Sequence, residues 1–180
     1  TGILQDKLYI EQLNEAISLS EKTETGKYAP FFSLSNIKGE KITRSSEDFK
    51  KKNLLINFWA SWGDSISNHQ SNTELKEIYQ KYKKNKHIAM LGISLDMDKQ
   101  EWQDAIKRDT LNWEQVCDFG GLNSEVAKQY AIKQVPSNIL LSADGKILAK
   151  NLKGEQLKKK IEEVVTAAEE KEKQDNKKKK

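Results

Sequence analysis

The sequence predicts an α/β domain with a mixed β-sheet flanked by helices on both faces. Two nearly continuous apolar runs, Leu54–Trp59 and Ile88–Leu95, are typical of strands that are buried on both faces. Helical patterns alternate with these strands, which favours a sheet lying between helical layers. The sheet is predicted to be mixed because Ser137–Ser142 and Lys146–Lys150 flank the turn Ala143-Asp144-Gly145 and form a closing hairpin.

The length and composition exclude several classes of protein. At 180 residues the chain has room for one ordinary domain and little more. A net charge of +4, from 31 Lys and Arg against 27 Asp and Glu, is too even to indicate a nucleic-acid binder. No apolar run approaches the roughly 20 residues of a membrane helix, so we predict no transmembrane span.

The single cysteine excludes an internal disulfide framework and a two-thiol redox cycle within the chain. We expect no metal and no cofactor.

An N-terminal extension is predicted to precede the domain. Ile3 to about Lys22 predicts a helix whose apolar residues recur at helical spacing: Leu4, Leu8, Leu13 and Ile17. We expect this stripe to pack against the domain, with binding to a partner as the alternative. Thr23–Lys27 is polar and predicts a linker. No leader pattern follows Thr1, so either a leader has been removed or the chain is cut from a longer protein.

The C-terminal end is predicted to be a charged, flexible tail. Glu169–Lys180 lacks apolar residues, which is typical of a solvated extension. A membrane-surface or nucleic-acid role for Lys177–Lys180 is the weaker interpretation, because four like charges without aromatic residues carry little specificity. The predicted divisions are therefore 1–27 for the helix and linker, 28–168 for the domain, and 169–180 for the tail.

The first half of the domain combines short strands with two helices. Gly39 marks a turn between short strands, which are indicated by the apolar residues Phe31, Leu34, Ile37 and Ile42. A long helix follows the first buried strand and carries on one side Leu75, Ile78, Tyr79 and Tyr82. Asp98 and Glu101 form a capping box that begins a second helix, ending near Arg108.

The second half of the domain completes the α/β alternation. Trp113–Phe119 is a third strand candidate, and either Asn123 or Ser124 caps a helix that runs to Tyr130. After the closing hairpin, an amphipathic helix is predicted over about Glu155–Ala168. No internal repeat is present.

Several segments, in order, carry a resemblance to a known family. The run Leu55–Trp62 resembles the strand that leads into the active site of thioredoxin-like thiol–disulfide oxidoreductases of the bacterial cell envelope, which shade into the peroxiredoxin-like families. The other matching segments are Ala29-Pro30-Phe31-Phe32, Gly92-Ile93-Ser94-Leu95-Asp96, Val135-Pro136-Ser137 and Asp144-Gly145-Lys146-Ile147. The resemblance covers roughly Tyr28 to Val165 and implies a thioredoxin-like fold.

The catalytic motif of that family is replaced in this sequence. The resemblance implies Cys-X-X-Cys after Trp62, at a helix N-terminus that stabilises the attacking thiolate while the second cysteine resolves the mixed disulfide. The residues present are Gly63, Asp64, Ser65 and Ile66. The register of the lost motif is open by about two residues, but no cysteine lies between Trp59 and Tyr82 in any register. Asp64 and Ser65 are helix-capping residue types, and we expect them to cap.

The resemblance also implies a binding groove that does not need cysteines. Val135-Pro136 matches the position of a cis-proline that faces the active site in the family. The backbone beside such a proline offers hydrogen bonds to an extended peptide. Trp62, Val135 and Pro136, with Ile66 beside them, are therefore the predicted contact residues for a protein or peptide partner. The resemblance further implies a periplasmic or cell-envelope location.

The remaining reactive residue types have simpler interpretations. Cys117 lies in the third strand candidate, where a lone cysteine is most often a small buried side chain; a reactive thiol is the alternative. His69 is expected to be exposed on a helix, and His87 to be an ordinary residue beside a strand. Asp96 and Asp98 are too few oxygen ligands for a cation site, and capping already explains Asp98.

The leading interpretation is a thioredoxin-fold protein that has lost its redox cysteines and acts as a binding or accessory module. Two alternatives remain open. One is a residual thiol redox or antioxidant-linked role through Cys117 or a partner's thiol. The other is a structural domain of a larger envelope protein.

Overall fold

The computed structural model describes residues 2–63 and 65–178, apart from the side chains of residues 2–6 and 65–69. The helices are α1 (Gly2–Lys22), α2 (Ser65–Tyr82), α3 (Lys99–Arg108), α4 (Glu125–Gln129) and α5 (Gly154–Lys178). The strands are β1 (Ser33–Asn36), β2 (Lys41–Thr43), β3 (Asn53–Trp59), β4 (Ile88–Ser94), β5 (Glu114–Cys117), β6 (Ser137–Leu141) and β7 (Ile147–Lys150). The predicted order of strands and helices is confirmed.

The strands form one mixed sheet in the order β2-β1-β5-β4-β3-β6-β7. β4 runs parallel to both β3 and β5, whereas β6 is antiparallel to β3 and to β7. Every residue of β3 is buried, as its continuous apolar run predicts. The predicted α/β class with a mixed sheet is therefore confirmed.

Two apolar clusters fill the space on the two faces of the sheet. On one face, residues of α4 and its C-cap pack against β3 and β4, and Tyr130 lies 5.5 Å from Phe58 between ring centroids. On the other face, α2, α3 and α5 contribute the buried side chains Leu75, Trp102 and Leu157. Because side chains alternate between faces along a strand, consecutive residues of β3 serve both clusters.

The helix caps follow the sequence signals. Asp98 accepts hydrogen bonds from the backbone N–H groups of Gln100 and Glu101, at 2.7 and 2.9 Å, and so caps α3 as predicted. Ser124 is the residue that caps α4, because its hydroxyl accepts the N–H of Ala127 at 3.1 Å. These two caps place α3 and α4 directly after the loops that leave the sheet.

Helix α1 has the predicted extent, but the expectation that its apolar stripe packs against the domain is wrong. Leu8, Leu13 and Ile17 are 56%, 47% and 48% exposed. The segment predicted as a linker is instead bonded to the sheet: Gly26 donates to the carbonyl of Ile147 at 2.8 Å, and Lys27 accepts from Ile147 at 2.8 Å. The helix is therefore held at its C-terminal end, and Leu8, Leu13 and Ile17 remain exposed.

Helix α5 continues to Lys178 and does not end at Ala168, so the segment predicted as a tail is helical over its described part. Glu, Lys and Gln residues favour helix even where no apolar face is present. Glu172 also lies 2.6 Å from the ammonium of Lys86, which ties this part of the helix to the loop before β4. Lys179 and Lys180 lie outside the described residues.

Among the described helices, none has both the length and the apolar character needed to cross a membrane.

Candidate functional site

The site that the resemblance indicates lies at the carboxyl ends of β3 and β4. Residues 60–63 leave β3 and lead towards α2, which begins at Ser65. The N–H of Gly63 donates to the carbonyl of Ala60 at 3.3 Å, which closes a tight turn. Trp62, at the tip of this turn, is 52% exposed. The loop therefore presents a large apolar ring to solvent next to the first turn of a long helix.

A buried carboxylate holds this loop in place. Asp96 is fully buried and accepts hydrogen bonds from the N–H of Ser61 at 2.9 Å and from its hydroxyl at 2.6 Å. The hydroxyl of Ser94 donates to the other oxygen of the carboxylate at 2.6 Å. A buried charge requires such donors in place of water. Asp96 thus has a structural role, and the interpretation that it does not form a cation site agrees with these contacts.

The described motif positions lie at the start of α2. Gly63 is half-buried and closes the turn, while Ser65 and Ile66 belong to the first turn of α2. The side chains of Ser65 and Ile66 and all of Asp64 lie outside the described residues, so their predicted capping stays a prediction. The backbone N–H groups at this helix terminus give it a positive partial charge.

The predicted proline lies immediately before the neighbouring strand, β6. The peptide bond between Val135 and Pro136 is cis, which is the geometry that the resemblance implies. Both residues are half-buried, and the hydroxyl of Ser137 donates to the carbonyl of Gln134 at 2.7 Å. Trp62 does not line the cleft that Pro136 borders. The grouping of Trp62 with Val135 and Pro136 in one groove therefore stays a prediction.

Cys117 has the environment of a structural cysteine. It is 1% exposed, and its thiol donates to the carbonyl of Asp96 at 3.6 Å. Burial raises the pKa of the Cys117 thiol to about 11. A reactive thiol needs exposure and a lowered pKa, so both observations oppose the reactive alternative. The simpler expectation, a small buried side chain, agrees with the structure.

The histidines do not assemble a catalytic or metal site in the described structure. The His87 ring nitrogen Nε2 lies 3.3 Å from Glu172 Oε2 of α5, at the end of the domain where α2 finishes and β4 begins. The side chain of His69 lies outside the described residues. Among the side chains that the structure describes, no group of three or more His, Cys, Asp or Glu residues could hold a metal ion.

Comparison with known proteins decides the family. A sequence model described as thioredoxin-like matches residues 50–147. Thiol-disulfide oxidoreductase ResA of Bacillus cereus is 32% identical over 146 residues, which are 81% of this chain and 79% of the relative. The chain belongs to the thioredoxin-like family. The resemblance inferred from the sequence motifs is thereby confirmed.

Solved structures of thioredoxin-like proteins extend this result. The chain is similar to the C-terminal domain of a Bacteroides thetaiotaomicron protein assigned to the thiol-disulfide oxidoreductases, with 78% identity and a TM-score of 0.80, covering 81% of this chain and 99% of that one. It is also similar to a thiol-disulfide oxidoreductase from Bacteroides fragilis, with 59% identity and a TM-score of 0.74 over 77% of this chain and 99% of that one. The thioredoxin-like fold predicted from the sequence is therefore confirmed.

Two features of this thioredoxin-like domain were not predicted from its sequence. Trp59 donates its indole N–H to the side-chain oxygen of Gln115 at 3.0 Å beneath the site, and both residues are buried. A cleft of about 280 Å³ also opens beside Pro136. A polar residue such as Gln115 in a buried strand is a sequence signal for the hydrogen bond with Trp59. The cleft has no local sequence signal, because residues of α2, β6 and α5 all contribute to it.

Proposed function

We propose that this thioredoxin-like protein does not catalyse dithiol–disulfide exchange and acts as a binding or accessory module. The observation that carries the proposal is the content of the motif position: Gly63-Asp64-Ser65-Ile66 stands where the family's chemistry requires two cysteines. The one cysteine of the chain, Cys117, is buried in β5. A two-thiol cycle within this chain therefore lacks both the attacking and the resolving thiol.

No other residue at the motif replaces that chemistry. Disulfide exchange requires a thiolate that attacks one sulfur atom and displaces another. The hydroxyl of Ser65 has a pKa far above the range in which it would ionise without a base, and it cannot form a disulfide. The carboxylate of Asp64 cannot form one either. The loss of both cysteines therefore removes exchange chemistry rather than weakening it.

The scaffold keeps features that suit a protein or peptide partner. Trp62 is exposed, and aromatic side chains of this kind are common anchors in protein interfaces. Pro136 is half-buried immediately before β6, where the adjoining backbone offers hydrogen bonds to an extended segment. The contact surface proposed here is therefore Trp62, Val135 and Pro136, with Ile66 in the first turn of α2.

Insulin reduction by dithiothreitol tests the loss of catalysis. Purified protein is expected to precipitate insulin at the rate of a no-protein control. The Cys117→Ala variant is the matched control, because any activity that survives in it comes from a contaminant. Turnover well above the control in the parent protein, and lost in Cys117→Ala, would overturn the proposal.

The partner surface is tested by site-specific photocrosslinking in cells. A photoreactive amino acid at Trp62 is expected to capture a defined protein band, and the same probe at Lys41 is the control. Lys41 lies in β2, at the sheet edge far along the strand order from β3. Equal capture at both positions would argue against a specific surface at Trp62.

A second candidate is a structural domain within a larger envelope protein. It is supported by the Bacteroides thetaiotaomicron relative, which is itself a C-terminal domain and is 78% identical. The periplasmic or cell-envelope location comes from the family resemblance and is part of this proposal. Sequencing the gene upstream of the codon for Thr1, together with fractionation of cells, tests both statements. A cytoplasmic fraction would contradict the location.

A further inference from the structure

The N-terminal helix α1 carries an apolar face that no other described element covers. Ile10, Leu13 and Ile17 are spaced by three and four residues, so they lie on one side of the helix. Their side chains are 55%, 47% and 48% exposed, and Tyr9 beside them is 66% exposed. We call Ile10, Leu13 and Ile17 the α1 face. Its apolar side chains gain free energy when they contact another apolar surface.

The C-terminal end of α1 is fixed to the domain. The buried hydroxyl of Thr23 bonds to the carbonyl of Leu19 at 3.1 Å and accepts a hydrogen bond from the ammonium of Lys150 in β7 at 3.1 Å. The N–H of Ala29 donates to the carbonyl of Gly145 at 2.9 Å, in the hairpin that leads into β7. Because the helix is already held in place, its face binds with little further loss of conformational entropy.

Two charged residues flank the α1 face along one edge. Lys7 and Glu21 each lie seven residues from Asn14, and this spacing places all three on the same side of the face. Lys7 and Glu21 are exposed, and neither makes an ion pair with another described side chain. The opposite edge holds the uncharged residues Tyr9 and Ala16. One edge of the face is therefore positive at its N-terminal end and negative at its C-terminal end.

A second copy of α1 that runs in the opposite direction complements this pattern. When Ile10 of one copy lies opposite Leu13 of the other, Lys7 of each copy lies opposite Glu21 of the other. A parallel pair would instead place Glu21 opposite Ala16 and leave both charges unpaired. The domain joins α1 at its C-terminal end, so an antiparallel pair also places the two domains at opposite ends of the helices.

We propose that this protein forms a dimer in which the α1 face binds the α1 face of a second copy in antiparallel order. The same surface serves both copies, as the symmetry of a two-fold dimer requires. A pair of helices roughly 30 Å long gives an interface at the small end of those that are specific, so we expect a dissociation constant of about 10–100 μM. The proposal goes beyond the proposed function, because such a dimer presents two Trp62 surfaces to its partners.

Sedimentation equilibrium of the protein, loaded from about 5 to about 500 μM, measures the dimer. Leu13→Ser is expected to abolish it, since the change removes the central apolar contact. Glu21→Lys is expected to weaken it about fivefold or more, because two lysines then lie opposite each other. Glu15→Lys makes the same change of charge on the other side of the helix and is expected to leave the affinity unchanged. Lys7→Glu combined with Glu21→Lys exchanges the two charges and is expected to restore the affinity of the parent protein.

The direction of the two helices is measured by double electron–electron resonance. A spin label at Lys22→Cys reacts selectively, because Cys117 is buried. The antiparallel pair places the two labels about 30 Å apart, and a parallel pair places them about 10 Å apart. Circular dichroism checks that each variant is folded.

Three results would overturn the proposal. One is a monomer at every concentration, and another is a short distance between the labels at Lys22. The third is a dimer whose affinity is the same in Leu13→Ser or in Glu21→Lys. None of these results bears on insulin reduction or on crosslinking at Trp62, so a failure here is distinguishable from a failure of the proposed function.

Discussion

The carboxylate of Asp96 accepts two hydrogen bonds from Ser61, one from its backbone N–H at 2.9 Å and one from its hydroxyl at 2.6 Å. The two residues lie at the carboxyl ends of neighbouring parallel strands, β3 and β4. Asp96 is fully buried, so these donors replace the water that its charge would otherwise bind. The loop before the motif is therefore fixed by a charge that does not depend on which side chains occupy the motif.

Replacing Asp96 by alanine is expected to lower the free energy of unfolding by about 2–4 kcal/mol, because the donors of Ser61 and Ser94 lose a buried ionic acceptor. Asp98→Ala is the matched control. It removes an exposed helix cap two residues away, and its expected cost is about 1 kcal/mol. Urea denaturation measures both. A smaller loss for Asp96→Ala than for Asp98→Ala would contradict the structural role of Asp96.

Cys117 is expected to be unreactive in the native protein. Its thiol is buried, and its pKa is raised from 9.0 to about 11, so the thiolate fraction near pH 8 is about a hundredfold lower than in an unperturbed cysteine. Titration with Ellman's reagent should give no thiol per chain in buffer and one per chain in denaturant. Rapid labelling of the native protein would revive the reactive-thiol alternative.

The same pKa shift predicts how stability changes at alkaline pH. The unfolded chain releases the Cys117 proton from about pH 9 upward, whereas the folded protein retains it until about pH 11. Deprotonation therefore favours the unfolded state, and the contribution of this group to stability falls as pH rises through that window, by up to about 3 kcal/mol. The measurement is the difference in unfolding free energy between the parent protein and Cys117→Ala at pH 8 and pH 10.5. A difference that does not shrink with pH would contradict the shift.

Introducing two cysteines at the motif positions is expected to confer disulfide reductase activity. Gly63→Cys with Ile66→Cys places one thiol in the turn before α2 and the other in its first turn, where the helix N-terminus stabilises a thiolate. The double variant should accelerate insulin reduction above the parent protein, and each single variant is a control that lacks the partner thiol. No gain in a folded double variant would show that the motif register or the groove is misplaced.

Gly92 is expected to tolerate no side chain while Gln115 is present. A Cβ at Gly92 would lie 1.9 Å from the Gln115 side-chain oxygen that accepts the Trp59 indole N–H. Gly92→Ala is expected to cost about 1–3 kcal/mol through overpacking of this buried pair. Gln115→Ala added to Gly92→Ala should cost less than the sum of the two single changes, because it removes the clash. If urea denaturation shows that the cost of the double variant equals the sum of the two single costs, the contact between the new Cβ and Gln115 does not cause the loss of stability of Gly92→Ala.

Much of the architecture was predictable because the relevant signals are local. The run from Leu54 to Trp59 predicts burial on both faces, and β3 lies at an interior position of the sheet. Asp98 predicts a helix start because a cap acts within one turn. The absence of apolar residues after Ala168 predicts a tail, whereas α5 continues as a helix to Lys178. Helix propensity and the contact between Glu172 and Lys86 support helix there instead.

Composition and local pattern alone determined that this chain alternates strands and helices around a mixed sheet and that it has no pair of cysteines for a two-thiol cycle. Tertiary structure alone decided three other properties. These are the exposure of Leu8, Leu13 and Ile17 on α1, the pairing of Asp96 with Ser61, and the cleft that brings Glu74 beside Pro136. Periodicity reports which side of an element is apolar, but it does not report which distant surface covers that side. Contacts between residues far apart in sequence depend on strand order and helix placement, which no local pattern encodes.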